Sequence, residues 1–328
     1  MSPTPSVRPY RLTRHPTLLC GLAVWIGWLV LISLTNNWPL FLTEWPMSVT
    51  MAFGSFIAGA TSEGGGAVAF PVMTLGFGIA PSVARDFSLL IQSVGMMAAA
   101  FTIYCLRIPV VRQAVLWSSL GGVLGVILGL DVVSHLLPPV YAKLFFVSTW
   151  FSFAGALFWI NQDRDRPVYD TIQGFSARHV LLLFGTGIAG GMVSGIVGSG
   201  LDILTFALLV LAFRIDEKIA TPTSVVLMGI NALVGVLWRE AVTTGMAEEA
   251  WNYWYVCVPI VVLGAPAGAR FIYRRSRQFI VGFLYLSIFV QYLAALLILP
   301  LTAALLVFSA GVLVLGLLGF RYMAYLGH

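Results

Sequence analysis

Two acids stand beside glycine clusters in stretches that are otherwise apolar. Glu63 lies in Ser62-Glu63-Gly64-Gly65-Gly66, and Asp202 follows Gly198-Ser199-Gly200. Glycines let the backbone take positive φ and come close to a ligand. Where a helix restarts after such a break, its first N–H groups are free and partly positive, which suits an anion. An acid at membrane depth is costly and usually functional, so Glu63 and Asp202 are candidate proton carriers. The plainer role for Asp202, with Ser199, is a helix N-cap.

Each break is followed by a segment that opens on polar residues: Arg85-Asp86-Phe87-Ser88 after the first, Thr221-Pro222-Thr223-Ser224 after the second. Gln92 and Asn231 come one to two turns further on. The hydroxyls and amides of Ser88, Gln92, Thr221, Thr223, Ser224 and Asn231 suit an oxyanion, or else serve as polar glue between helices. Arg85 either meets an incoming anion or snorkels to the surface. Adjacent residues do not share a helix face, so Arg85 and Asp86 are expected to point apart. The candidate substrate-binding set is therefore Ser62, Gly64, Gly65, Gly66, Arg85, Ser88, Gln92, Gly198, Ser199, Gly200, Thr221, Thr223, Ser224 and Asn231. The candidate proton-coupling set is Glu63, Asp86 and Asp202.

The elements that must hold these residues are membrane helices. Only 9% of the 328 residues are charged and 59% are hydrophobic, with a mean hydropathy of +0.94. Soluble chains carry roughly 25% charged residues. The basic balance, a pI near 9.3, belongs to cytoplasmic loops and not to nucleic acid. Cys20, Cys105 and Cys257 lie far apart with no CxxC, so neither a disulfide framework nor a metal cluster is expected. No phosphate-binding G-x-x-x-x-G-K-[ST] run is present, and no cofactor is expected.

Apolar segments are expected at about 18–35, 83–104, 112–130, 138–160, 216–238, 251–271, 276–298 and 300–322. Between them lie two glycine-broken units, about 47–77 and 179–213. The first has arms of about 15 and 11 residues, short of the ~20 that a spanning helix needs. Each unit is read as a hairpin that returns to the side it entered from. With the N-terminus inside, 15 of the 18 lysines and arginines then fall on the cytoplasmic side, leaving Arg85, Lys143 and Arg239. Counting each unit as a single crossing would move Arg107, Arg112, Arg164 and Arg166 outside, against the positive-inside rule.

The two units look like copies. At one constant offset Gly59 falls on Gly195, Gly64 on Gly200, Phe70 on Phe206 and Leu75 on Leu211. Phe77 falls on Phe213, Ile79 on Ile215, Ala84 on Ala220 and Ser88 on Ser224 without a gap between them. The fold class that follows is an all-α polytopic membrane protein of two inverted repeats. Each repeat is a re-entrant hairpin plus three transmembrane helices, with one extra helix at each end of the chain. Residues 1–46 hold the N-terminal tail and extra helix, 47–160 the first repeat, 161–178 a cytoplasmic linker, 179–298 the second repeat, and 299–328 the last helix and tail. Inverted repeats with broken helices at the midplane are the architecture of many secondary transporters.

This arrangement resembles the TauE/SafE family of sulfite and organosulfur-anion exporters, over about residues 47–298. Family members show G-x-G-G-G early in the first repeat, where this chain has Ser62-Glu63-Gly64-Gly65-Gly66. Arg85-Asp86 stand where the family has a polar Thr-Ser or Thr-Asn pair, while Thr223-Ser224 and Asn231 keep the pattern in the second repeat. The resemblance implies a multi-pass carrier of the bacterial inner membrane moving a small anion coupled to an ion gradient; the charge count puts both termini in the cytoplasm, and Glu63 makes H+ the expected coupling ion. Its partners are the anion and the lipid bilayer; no nucleic acid is expected, and a homodimer is left open. A passive anion channel is the alternative. An enzyme is disfavoured, because His15, His135, His179 and His328 all fall at segment ends or tails, out of reach of Ser199.

Overall fold

The structure is a computed structural model that describes residues 15–62, 69–160 and 167–326. All its regular elements are helices, nine of them long and apolar enough to cross a membrane among the described residues. In chain order they are α1 (His15–Leu34), α2 (Trp45–Ala60), α3 (Pro81–Cys105), α4 (Arg112–Leu128) and α5 (Pro139–Ile160). Then come α6 (Ala177–Val197), α7 (Leu201–Ala207), α8 (Glu217–Val242), α9 (Glu248–Tyr273), α10 (Arg277–Ile298) and α11 (Ala303–Leu326). Start signals are local. Pro81 opens α3, Asp216 accepts the Lys218 N–H at 2.8 Å to open α8, and Ser176 with His179 forms a reciprocal cap on α6.

The element bounds recur at one constant step. Pro81 and Glu217 open α3 and α8, and Arg112 and Glu248 open α4 and α9. Both pairs keep the step that separates Gly59 from Gly195. A five-residue π-helical turn, Val72–Gly76, has its counterpart at that same step in Leu208–Ala212, which extends α7.

Small residues join the two halves of the chain to each other. Gly121, Gly125 and Gly129 face Gly187, Gly191 and Gly195, so that α4 and α6 pack backbone to backbone. A Cβ on Gly129 would strike the Met192 carbonyl, and one on Gly195 would lie 2.6 Å from backbone atoms of Gly129. The same device joins α2 to α9, where Gly59 meets Ala265 and Gly268 meets the Phe56 carbonyl. Gly59 and Ala265 lie at the same constant step from Gly195 and Gly129, so α2 meets α9 at positions that match the contact of α6 with Gly129. The helices α3 and α8 cross at the centre and run antiparallel, with Met96 against Gly229 and Leu89 against Gly235. In the apolar 18-residue stretch of each, 72% of the residues are buried, against 11% in α1 and 17% in α11. The ends of the chain are therefore the periphery.

Peripheral α1 is fastened by indoles. Pro259 lies inside α9 and has no N–H to give the Tyr255 carbonyl one turn back. Trp28 Nε1 donates to that carbonyl at 2.8 Å, and Trp25 Nε1 donates to the Pro259 carbonyl at 3.1 Å. Hydrocarbon offers no replacement for the first bond. Trp28→Phe is expected to cost about 1–3 kcal/mol, the penalty of an unpaired buried carbonyl, and Trp25→Phe distinctly less. Thermal unfolding midpoints in detergent measure the difference; equal shifts would refute it.

Candidate functional site

The second glycine break is wholly inside the protein. Helix α6 is 21 residues long, enough to cross by itself, yet it ends at Gly198 among buried residues. Gly198 takes φ +86°, and its N–H donates to the Ser194 carbonyl at 2.7 Å. This is a left-handed helix end that favours glycine. Space enforces glycine as well, since a Cβ there would sit 2.5 Å from Ser88 Cβ. The chain then folds back. Leu201 lies against Gly190 and donates its N–H to Ser194 Oγ at 3.1 Å, while Gly200 lies against Val193.

Asp202 is 1% exposed and turns back onto the break. Its Oδ1 accepts the Gly200 N–H at 2.9 Å, and Ser199 Oγ donates to Oδ2 at 3.3 Å. Two of the amides expected to face an anion, those of Gly200 and Leu201, are thus engaged by Asp202 and Ser194. Among the described residues no salt bridge involves Asp202.

Helix α3 holds the break from the other side. Gln92 Nε2 donates to the Gly198 carbonyl at 2.9 Å and to the Ser88 carbonyl at 2.7 Å. Both Gln92 partners are acceptors, which fixes the amide orientation and leaves Oε1 as the free end. Asn231 of α8 approaches through Gly122, whose Cβ position lies 3.1 Å from Asn231 Oδ1 and 2.8 Å from Leu201 Cδ2. Buried oxygens without a partner among the described residues include Gln92 Oε1, Asn231 Oδ1, Thr205 Oγ1, Thr221 Oγ1 and Ser62 Oγ. An unmet buried polar atom costs about 1–3 kcal/mol, so each of these oxygens calls for a water, a ligand or another explanation.

Other expected site hydroxyls already donate to backbone carbonyls. Ser88 Oγ donates to the Ala84 carbonyl at 2.7 Å, Ser224 Oγ to the Thr221 carbonyl at 2.7 Å, and Thr223 Oγ1 to the Ile219 carbonyl at 2.7 Å. Thr223 Oγ1 also accepts the Val111 N–H at 3.0 Å, which makes it glue between helices. Thr221 faces a separate cavity of about 10 Å³ beside Lys218, Pro222 and Tyr273, room for one water. Glu63, Gly64, Gly65 and Gly66 lie outside the described residues, and Ser62 beside them is 2% exposed.

The expectation that Arg85 and Asp86 point apart is corrected. Arg85 Nε and Nη2 both donate to Asp86 Oδ1, at 3.0 and 2.8 Å, and Arg85 is only 7% exposed. It does not snorkel. Neighbouring Cβ atoms diverge on a helix, but the arginine chain is long enough to curl back, and burial rewards it for meeting the carboxylate. Asp86 Oδ2 in turn accepts from Arg239 Nη2 at 3.4 Å and from the Ala247 N–H at 3.1 Å. This cluster ties α3 to the end of α8 and the start of α9.

Sequence reasoning misses Arg239, Thr205 and the buried Glu217. The apolar run ends at residue 238, which places Arg239 in a loop, whereas α8 continues to Val242. Thr205 is a lone hydroxyl in an apolar arm, without a pattern to single it out.

Against known families, the description Sulfite exporter TauE/SafE matches residues 47–293. The chain belongs to the TauE/SafE family. It is therefore a multi-pass membrane protein of a sulfite-exporter family, and the match covers both glycine-broken units and the helices between and after them. No curated protein and no solved structure matches the chain. The TauE/SafE match ends at residue 293, so α1 and α11 fall outside it.

Proposed function

We propose that this TauE/SafE chain is a secondary transporter that exports small sulfur oxyanions, such as sulfite or a sulfonate, across the bacterial inner membrane. The two glycine-broken units act as re-entrant hairpins in inverted repeats, 47–160 and 179–298, and access alternates across them. Three features support the inversion: the constant offset between the copies, the antiparallel crossing of the equivalent helices α3 and α8, and the cytoplasmic placement of most lysines and arginines. Both termini are then cytoplasmic.

The observation that carries the reading is the buried Gly198–Gly200 break, gripped by Gln92 and approached by Asn231, whose Oε1 and Oδ1 are both without a partner among the described residues. Irregular backbone is tolerated at membrane depth only where it lines a protein cavity or water. Substrate binds beside this break and its first-repeat counterpart at Ser62–Gly66. The Thr205 hydroxyl donates to an oxyanion oxygen, and the unpartnered Gln92 Oε1 and Asn231 Oδ1 accept from a protonated one. Asp202, buried without a cationic partner among the described residues, and Glu63 exchange the coupling proton.

Flux in proteoliposomes of purified protein tests this, with sulfite and a small sulfonate under an imposed pH gradient. Gradient-driven accumulation is expected, falling at least about tenfold in Asn231→Leu, a loss of roughly 1.4 kcal/mol. Asp202→Asn and Glu63→Gln are expected to abolish the response to pH. Flux that only equilibrates would favour the passive channel instead.

A further inference from the structure

Below the two indole bonds that fasten α1, the helices part. They leave a groove of about 540 Å³ between α1, α3 and α9, within the range of ligand pockets. Its lining side chains are apolar apart from Thr17, Thr102 and Arg270. The Thr102 hydroxyl is already bonded to the Ala98 carbonyl at 2.9 Å. Leu18, Leu22 and Leu263 on its walls are 64%, 56% and 51% exposed, so the groove opens outward to the bilayer. Water needs two to four polar partners to occupy such a space, and these walls do not supply them. The neighbouring solvent is hydrocarbon, which these walls suit.

One end of the groove carries a charge. Arg270 is half-buried there, and among the described residues no salt bridge involves it. It stands on the arginine-rich side with Arg274 and Arg275, which the positive-inside rule assigns to the cytoplasm. That leaflet holds anionic lipids. A zwitterionic headgroup neutralises its own phosphate, whereas an anionic one needs a cation such as this.

We propose that the groove between α1, α3 and α9 is a binding site for one anionic phospholipid, with an acyl chain along Leu18, Leu22 and Leu263 and the phosphate at Arg270. The lipid completes the packing of α1, the least buried of the spanning helices. The inference is independent of what the protein transports.

Trp25 lines the groove and serves as the reporter. The full-length protein in detergent is titrated with brominated phosphatidylglycerol or brominated phosphatidylcholine, and the Trp25 component is isolated from the chain's ten tryptophans by difference from Trp25→Phe. Phosphatidylglycerol is expected to quench it at about five- to tenfold lower mole fraction than phosphatidylcholine, as one arginine at the surface gives. Arg270→Gln should erase that preference, and Arg270→Lys should keep most of it. Equal quenching by the two lipids in the unaltered protein would overturn the proposal, as would an undiminished preference in Arg270→Gln. So would a Trp25 component that neither lipid quenches; if Leu22→Cys then cross-links two copies, the groove belongs to a homodimer contact.

Discussion

Asp86→Ala is expected to destabilise the protein by about 3–5 kcal/mol, the loss seen when one partner of a buried ion pair is removed. Asp86 is the only carboxylate among the described salt bridges of this cluster, and it serves Arg85 and Arg239 together with the Ala247 N–H. The cluster holds two guanidiniums and one carboxylate, so it already carries an excess positive charge. Without Asp86 the buried Arg85 and the partly buried Arg239 both lose this counter-ion, and the start of α9 loses its tie to α3. Thermal unfolding in detergent reads this directly. Arg239→Gln alone should cost less, since Arg85 keeps its short contacts of 2.8 and 3.0 Å. The double variant Asp86→Ala/Arg239→Gln should recover part of the loss, because one of the stranded charges is gone. The same experiment separates two roles for Asp86. A proton-coupling acid would leave stability nearly intact in Asp86→Asn while transport stopped responding to a pH gradient. A structural clasp predicts the reverse order of effects.

The helices were legible because hydropathy and repetition speak together over long segments. Residues 83–104 and 216–238 were expected to be helical, and α3 and α8 extend each by only a few residues at the ends. Those few residues mattered most. Arg239 lies just past the apolar run, where composition says loop, and tertiary contacts with Asp86 and the 243–247 turn keep it helical. Four-residue spacing, as in Gly121 with Gly125 and Gly187 with Gly191, marks a surface for close helix packing but names no partner. Only the fold shows that Gly121 and Gly125 meet Gly187 and Gly191. The candidate site was legible as a region more than as a list. Gln92, Gly198, Ser199, Gly200, Asn231 and Asp202 gather at one break, while Thr221 faces a separate cavity and Thr223 bonds the Val111 backbone. A helix start in a sequence shows where free amides arise, but not which side chain has already taken them, as Asp202 and Ser194 have here.

Gly195→Ala should be among the most damaging single-methyl changes in the chain. Its Cβ would lie 2.6 Å from the Gly129 Cα and carbonyl carbon and from the Leu130 nitrogen, all backbone atoms that no rotamer change can clear. Helix α6 must then back away from α4, at a cost of about 1–3 kcal/mol for overpacking. The displacement does not stop there. Gly195 stands within one turn of Gly198, whose carbonyl is gripped by Gln92, so the break moves relative to α3. Transport is therefore expected to fall more steeply than stability, by at least about tenfold, since small misplacements at a site are magnified in rate. Gly185→Ala is the control in the same helix: its Cβ meets nothing within 4 Å, and the change should be neutral or slightly stabilising. Gly59→Ala is the matching test in the first copy, because a Cβ there would collide with the carbonyl of Ala265, the residue that answers to Gly129 in the duplication. If the two copies are equivalent halves of one machine, both variants lose stability and flux together. A harmless Gly59→Ala beside a damaging Gly195→Ala would mean that the duplicated arms have diverged in function, with the site resting on the second break alone.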